Sequence, residues 1–281
     1  MGAARVGGMH GSLGDRVVLI AVVLLGFVML GPILWAIGLS LKSNSALLVD
    51  TASVLRPPYT LENYADIIAG SSVGRWVANS VVVSLGMTAG VLVLSSLAGY
   101  GFARLEFPGR RVLFVLVLFG LAVPEQAVII PRYQLFAELG LHNTYAGLML
   151  PGMAAPFGVF LMTQYFKSIP REIDEAAALD NASRFTIFWR VLLPMTLPAQ
   201  ATLGIFTFLH AWNDYWWPLI SGTNERMYTL TVGIASSQIN FAESAGLGFL
   251  MAQAVFASLP IVIVYLFFQK YIVRAVSGQA A

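Results

Sequence analysis

The sequence predicts an all-α integral membrane protein with six transmembrane helices, and two observations carry this prediction. Of the 281 residues, 58% are hydrophobic and only 11% are charged, whereas soluble domains carry about 25% charged residues. Several uncharged stretches also reach the roughly 20 residues that a helix needs to cross the hydrocarbon core of a bilayer. Lipid offers no partner to a free peptide group, so such stretches are predicted to be helical.

The composition also excludes several classes of protein. A soluble globular enzyme, a disordered chain and a nucleic-acid-binding surface all need denser charge than this chain carries, so we expect no nucleic-acid partner. The chain has no cysteine, which removes disulfides, iron–sulfur clusters and thiol nucleophiles. Its three histidines are scattered and match no metal-binding motif. We therefore expect no metal site and no catalytic residue.

Six stretches have the length of a membrane span: 17–41, 77–103, 112–131, 139–166, 191–213 and 244–269. The first is longer than the apolar part of a cleaved signal peptide, which has about 7 to 15 residues, and we expect it to be retained. The third is interrupted by Glu125 but is long enough. Together the six define a transmembrane domain over 17–272, flanked by an N-terminal segment, 1–16, and a C-terminal tail, 273–281.

Lysine and arginine predict the orientation. If both termini are cytoplasmic, eleven of these residues fall in inside segments and five in outside segments, in agreement with the positive-inside rule. The two longer outer segments, 42–76 and 214–243, carry Pro, Asn, Ser or Thr. We expect them to be extracytoplasmic loops that include a short interfacial helix.

The inside segment 167–190 is too long for a simple turn. Pro170 and the acidic residues after it are typical of a helix N-terminus, where carboxylates meet the positive end of the helix dipole. Residues 176–179 favour helix strongly. Asp180 and Asn181 suit a tight turn, because Asn tolerates the left-handed conformation. With the amphipathic stretch that follows, the sequence predicts a cytoplasmic helix–turn–helix, which is either a docking surface or a packed interfacial loop.

The same segment resembles a known motif. Glu175-Ala176-Ala177, Asn181 and Val191-Leu192-Leu193-Pro194 match, at every spacing, the EAA motif of ABC importer permeases, written E-A-A-x3-G-x9-I-x-L-P. Two positions depart from it, because Asn181 replaces Gly and Val191 replaces Ile. Gly and Asn share access to left-handed backbone, so the turn is preserved.

The resemblance covers most of the chain. Within the ABC importer permeases, the chain most resembles the maltose-type carbohydrate permeases. The residues that carry it are Asn79-Ser80, 98–104 (AGYGFAR), 107–110 (FPGR), 139–145 (LGLHNTY), Trp212-Asn213-Asp214 and Pro218. The resemblance implies the fold of a type I ABC importer permease in the cytoplasmic membrane of a prokaryote. It also implies import of a sugar by alternating access.

Partners follow from the same resemblance. It implies a second, homologous permease subunit, two copies of a cytoplasmic ATPase and an extracytoplasmic solute-binding protein. Glu175 would contact the ATPase, Ala176 and Ala177 would allow close approach, and Asp180 with Asn181 would form the turn, while Leu193 and Pro194 complete the motif. None of the three lysines follows glycine, so the chain has no phosphate loop. We expect it to bind no cofactor and not to be an enzyme, with ATP and Mg²⁺ used by the partner subunits.

Polar residues within the spans are candidates for the solute pathway. Amides, a carboxylate and aromatic planes suit sugar hydroxyls and rings, and the candidates are Asn79, Glu125, Gln126, His210, Trp212, Asn213 and Gln253. Glu125 is placed to accept a hydroxyl or to close an outer gate by pairing with a cation, and interfacial solvation is an equal alternative. Bonds between helices are the simpler interpretation of Asn79 and Gln253.

Two further alternatives remain at this point. A secondary transporter would show inverted repeats or a buried ionisable relay and has no reason to carry the EAA segment. A membrane enzyme would need a catalytic group, and nothing fixes Ser40 near His210. Within the importers, glycerol phosphate or another small solute is the alternative to a sugar.

Overall fold

The structure is a computed structural model that describes residues 13–69, 72–241 and 246–276. All regular elements in these ranges are helical, which confirms the predicted all-α class. The α-helices are α1 (Leu13–Ser40), α2 (Asn44–Val49), α3 (Glu62–Ala69), α4 (Val73–Arg104), α5 (Arg110–Phe119), α6 (Ile129–Glu138), α7 (Tyr145–Met153), α8 (Pro156–Ser168), α9 (Glu172–Leu179), α10 (Arg184–Thr186), α11 (Leu193–Met195), α12 (Leu197–Asn213), α13 (Trp216–Ser221), α14 (Leu230–Phe241) and α15 (Gly246–Val276). Most of the predicted terminal segments 1–16 and 273–281 lies outside the described residues.

Three helices in the described ranges are long and apolar enough to cross a membrane by themselves: Gly14–Ser40 within α1, Val73–Arg104 (α4) and Gly246–Phe267 within α15. Two further candidate spans are pairs of helices that meet at a bend. These five elements correspond to five of the six predicted stretches.

The remaining predicted stretch, 112–131, is not a single helix. Helix α5 ends at Phe119, and the chain continues as a 3-10 helix, Glu125–Val128, followed by α6. Pro124 stands at the start of the 3-10 helix, where its missing N–H prevents a continuous helical hydrogen-bond ladder. The expectation of one uninterrupted helix here is therefore corrected, and the count of six spans stays a prediction.

Two other predicted spans are bent at prolines. Helices α7 and α8 meet at 48°, and Pro156 begins α8. The helical segment Arg184–Met195, which contains a π-helical turn at Ile187–Leu192, meets α12 at 74°. Pro198 lies in the first turn of α12. Proline has no N–H, so it loses no hydrogen bond within α12, but it cannot donate one to a carbonyl of the preceding helix.

The described residues form two compact units, one from parts of 1–69 and 240–256 and the other from parts of 70–239 and 257–281. In the first, the predicted outer segment after α1 folds as α2, a 3-10 helix and α3. The Asn63 Nδ2 atom donates to the carbonyls of Ser40 (2.8 Å) and Lys42 (2.9 Å). The buried Lys42 Nζ atom donates to the carbonyls of Pro58 (2.9 Å) and Arg56. These bonds fix the segment to the end of α1.

In the second unit, α4 packs against α7, α8 and α12. Its contact with α8 depends on Gly99, because a Cβ atom added there would lie 2.6 Å from Met162 Cβ. Small residues allow this close approach of two membrane helices. Met162, Val91 and Leu203 are buried in the core that α4, α8 and α12 share.

Candidate functional site

Helix α9 of the predicted helix–turn–helix ends as the sequence indicates. Asn181 has φ = 57°, which confirms the predicted left-handed turn. Its amide donates to the carbonyl of Ala178 (3.0 Å), and the amide of Ala182 donates to the carbonyl of Ala177 (3.1 Å). These two bonds form a Schellman motif, which satisfies carbonyls that the helix end leaves free. Asn at this position serves as Gly does in the family motif.

The second helix of the segment begins at Ser183, whose Oγ accepts a hydrogen bond from the amide of Thr186 (3.2 Å). This cap satisfies one of the free amides at the helix start. Ile187, Phe188 and Leu192 are then buried in the core. The helix continues as far as Met195, beyond the predicted end of the segment at residue 190.

The opposite side of this helix–turn–helix is exposed. Glu175, Ala176 and Asp180 are exposed, and so are the apolar side chains of Leu179 (85%) and Phe185 (71%). Exposed apolar side chains beside a carboxylate and small residues are typical of a protein interaction surface. Of the two residues that complete the motif, Leu193 packs against the core and Pro194 is exposed.

An ion pair that the sequence analysis missed joins α9 to α4. The Arg104 Nε atom lies 2.8 Å from Asp174 Oδ2, and the two side chains are 5% and 23% exposed. Arg104 Nη2 also donates to the carbonyl of Ile169 (2.8 Å). Burial raises the pKa of Asp174, while the positive charges of Arg104 and Arg171 lower it in part. Arg104 therefore has a structural role, because it attaches α9 to α4, in addition to adding a positive charge on that side of the protein.

Aromatic side chains extend this contact. The Tyr100 ring of α4 lies 5.9 Å from the Phe166 ring and 5.0 Å from the Phe188 ring, between centroids. Such pairs add to the free energy of burial because their edges and faces attract. The Arg104 end of α4 is thus bound both to α9 and to the second helix of the segment.

The other end of α4 is bound to the segment 226–230. The Asn79 Nδ2 atom donates to the carbonyls of Arg226 (2.9 Å) and Tyr228 (2.8 Å), and its Oδ1 accepts from the Tyr145 hydroxyl (2.8 Å). Next to it, Ser80 Oγ accepts from the amide of Leu230 (2.8 Å). Both amide hydrogens of Asn79 are used within the protein, so a solute would have to displace one of these bonds.

Two of the predicted pathway residues line one cavity of about 550 Å³. Glu125 and His210 lie in its wall, together with Arg132 and Thr207. The Glu125 Oε1 atom accepts from Arg132 Nη1 at 3.1 Å, and the Arg132 guanidinium lies over the Trp217 ring, 5.2 Å from its centroid. Arg132 was missed by the sequence analysis, although it lies seven residues after Glu125, which is about two helical turns.

The structure places the other predicted pathway residues elsewhere. Trp212 is buried and donates from Nε1 to the carbonyl of Ala257 (3.2 Å). Asn213 donates to the carbonyl of Leu209 in its own helix (2.8 Å). Gln126 is exposed beside Glu125 in the 3-10 helix, and Gln253 is buried in the unit that contains α1. A role for any of them in solute binding stays a prediction.

Apolar helices of spanning length, a core of packed helices and an exposed helix–turn–helix together define an integral membrane protein with a surface for a partner. The chain belongs to the family described as "Binding-protein-dependent transport system inner membrane component", whose model matches residues 91–278. Membership makes it a multi-pass inner-membrane protein and a transport component, not an enzyme, as the sequence predicts.

Similar proteins agree with this assignment. The chain is 34% identical to the arabinooligosaccharides transport system permease protein AraQ of Bacillus subtilis, over 90% of this chain and 91% of the relative. It is 34% identical to the diacetylchitobiose uptake system permease protein NgcG of Streptomyces coelicolor, over 91% and 85%. A chain of a bacterial ABC transporter involved in the import of alginate superposes with a TM-score of 0.77 and 25% identity, over 93% of this chain and 98% of that chain. The sn-glycerol-3-phosphate permease UgpE of Rhizobium meliloti is 32% identical over 80% and 85%.

Proposed function

We propose that this chain is one of two permease subunits of an ABC importer that carries a sugar across the cytoplasmic membrane by alternating access. The observation that carries the proposal is the exposed surface of the helix–turn–helix, with the carboxylate of Glu175 beside small and apolar side chains. The relatives named for oligosaccharide transport support the choice of a sugar. Two cytoplasmic ATPase subunits, a second permease and an extracytoplasmic solute-binding protein complete the importer.

The proposed orientation places both termini and the segment 167–190 in the cytoplasm. The excess of lysine and arginine on that side supports it. The Arg104 end of α4 then faces the ATPases, and the segment 226–230 at its other end faces the solute-binding protein.

The helix–turn–helix is the docking element for the ATPase. Ala176 lets α9 lie deep in a groove, and the Glu175 carboxylate sets its register against donor groups there. ATP and Mg²⁺ are bound by the ATPase subunits and supply the energy. Movement of those subunits shifts the docked segment and changes the side of the membrane to which the pathway opens.

The cavity that contains Glu125, Arg132 and His210 is this chain's part of the solute pathway. Arg132 is already paired with Glu125, so its charge is neutralised. The carboxyl group of Asp214, one residue after α12, lies within electrostatic range of Glu125 and His210. This balance of charge favours hydroxyl groups of a neutral sugar over a phosphate, which would need a free cation.

A phosphorylated solute is the second candidate, because the relative UgpE is a permease protein of an sn-glycerol-3-phosphate transport system. The two are separated by measuring ATP hydrolysis of the complete, reconstituted importer with solute-binding protein and either neutral oligosaccharides or glycerol 3-phosphate. Stimulation by an oligosaccharide alone is the expected result. Stimulation by glycerol 3-phosphate alone would replace the sugar with a phosphorylated solute.

The docking role is tested by charge reversal. Glu175→Lys is expected to abolish uptake and to reduce the amount of ATPase that co-purifies in mild detergent, with the thermal unfolding of the chain unchanged. The matched control is Glu106→Lys, the same reversal at an exposed residue in the neighbouring turn. Normal uptake and normal co-purification in the Glu175 variant would remove the proposal.

A further inference from the structure

Helix α4 runs without interruption from Val73 to Arg104, which is 32 residues and about 48 Å at 1.5 Å per residue. The two bent candidate spans of the same unit are broken at 48° and 74°. A bend can absorb a displacement, whereas a continuous helix passes it from one end to the other. Within its unit, α4 is thus suited to carry a movement across the membrane.

Each end of α4 is bound to a segment distant in sequence. At one end, Arg104 pairs with Asp174 of α9 and donates to the carbonyl of Ile169, with only 5% of its side chain exposed. At the other end, Asn79 donates to two carbonyls of the segment 226–230. Arg104 Nε contacts Asp174 as an ion pair without a hydrogen bond, while Nη2 bonds to the carbonyl of Ile169. The Ile169 bond and the two amide bonds of Asn79 fix the geometry at each end, because breaking them leaves buried polar groups without a partner.

We infer that α4 is a rigid strut between the ATPase-docking segment and the extracytoplasmic segment 226–230, with Arg104 and Asn79 as its two positioning residues. The inference rests on the proposed function, which supplies a partner at each end. Through the strut, a loaded solute-binding protein at 226–230 changes the position of α9, and thereby the rate at which the docked ATPase works. The coupling is reciprocal, so ATP binding also changes the affinity of the outer surface for the solute-binding protein.

The test measures coupling and not activity alone. The complete importer is reconstituted in lipid, and ATP hydrolysis is measured with and without loaded solute-binding protein; the ratio of the two rates is the stimulation. We expect Arg104→Gln and Asn79→Ala each to lower the stimulation by about fivefold, the low end of ordinary allosteric coupling. One matched control is Arg110→Gln, since Arg110 donates to the nearby carbonyl of Leu105. The other is Asn143→Gly, since Asn143 lies outside α4 and bonds to Thr223 and Asn224, close to the segment 226–230.

The double variant gives the decisive result. Asn79 and Arg104 are 25 positions apart, or about 38 Å along the helix, and substitutions at such a distance normally have independent effects. If both act through one strut, the double variant is no worse than the more severe single variant, because one broken attachment already disconnects the strut. Independent effects, in which the two reductions multiply, would overturn the inference.

Two further outcomes are distinguished. If the wild-type importer shows stimulation and neither variant changes it, the strut is overturned while the proposed function stands. If the wild-type chain binds no ATPase and shows no stimulation, the proposed function fails and the inference fails with it. Where Arg104→Gln does not assemble, Arg104→Lys keeps the charge but cannot reach both Asp174 and the carbonyl of Ile169, and it is expected to lower the stimulation in the same way.

Discussion

Helices α1 and α4 are both long enough to span a bilayer, but they differ in how many of their side chains are buried. In the most apolar window of α1, none of the residues is buried, whereas 33% are buried in that of α4. On its buried side α4 carries small and polar residues, among them Asn79, Ser95 and Gly99. Apolar length therefore identifies a candidate membrane span, while its less apolar positions show whether the span packs against neighbouring helices.

The largest expected effect tests the close packing of α4. Gly99→Leu places a side chain where even a Cβ atom would be 2.6 Å from Met162 Cβ, and we expect a loss of about 3 kcal/mol or more in the free energy of unfolding. Gly26→Leu in α1 is the control, since a Cβ there meets nothing within 4 Å among the described residues. Thermal unfolding in detergent measures both, and equal melting temperatures would remove the distinction between the helices.

A second variant makes α4 more like α1. Asn79→Leu removes the bonds to the carbonyls of Arg226 and Tyr228, and we expect it to cost about 2 kcal/mol, because those carbonyls lose their partner. Asn213→Leu removes a bond within its own helix at an exposed position and is expected to be nearly neutral. Denaturant unfolding compares the two. A gain of stability in the Asn79 variant would mean that its polar attachments are not needed for the fold.

The smallest expected effect is the difference in stability cost between truncating a buried valine and truncating an exposed one. Val91 of α4 is fully buried, whereas Val28 of α1 is 69% exposed. Val91→Ala is expected to cost about 1.5 kcal/mol for two buried methylene equivalents, and Val28→Ala less than about 0.5 kcal/mol, since its surroundings in lipid are as apolar as a protein core. A cost at Val28 as large as that at Val91, in the chain purified without partners, would show that α1 is buried as α4 is.

Much of this fold was predictable because its signals are local. Apolar length located five of the spans, and the helix–turn–helix followed from an acidic helix start and a turn at Asn181, whose left-handed conformation is confirmed. Both depend on residues that are neighbours in sequence. The break within 112–131 was missed because the apolar pattern continues through Gly120 and Pro124, and a hydropathy criterion does not weigh the missing N–H of a proline.

The contacts of the candidate site were harder to predict, because they join distant parts of the chain. Arg104 and Ile169 are 65 positions apart, and Asn79 and Arg226 are 147 apart. No spacing rule connects such residues, so the sequence predicted neither the partners of Arg104 nor those of Asn79, for which bonds between helices were the simpler interpretation and solute binding the other one. The pairing of Glu125 with a cation was one of the predicted alternatives, but Arg132 as its partner depends on how α6 follows the 3-10 helix.

The exposed side chains of Leu179 and Phe185 also have a consequence for the life of the protein in the cell. Newly made subunits that display apolar side chains in water are bound by chaperones and degraded by proteases. A chain made without its ATPase would keep this surface uncovered, so its abundance should follow the supply of that subunit. Balanced synthesis of the two proteins would then be a requirement for accumulating this one.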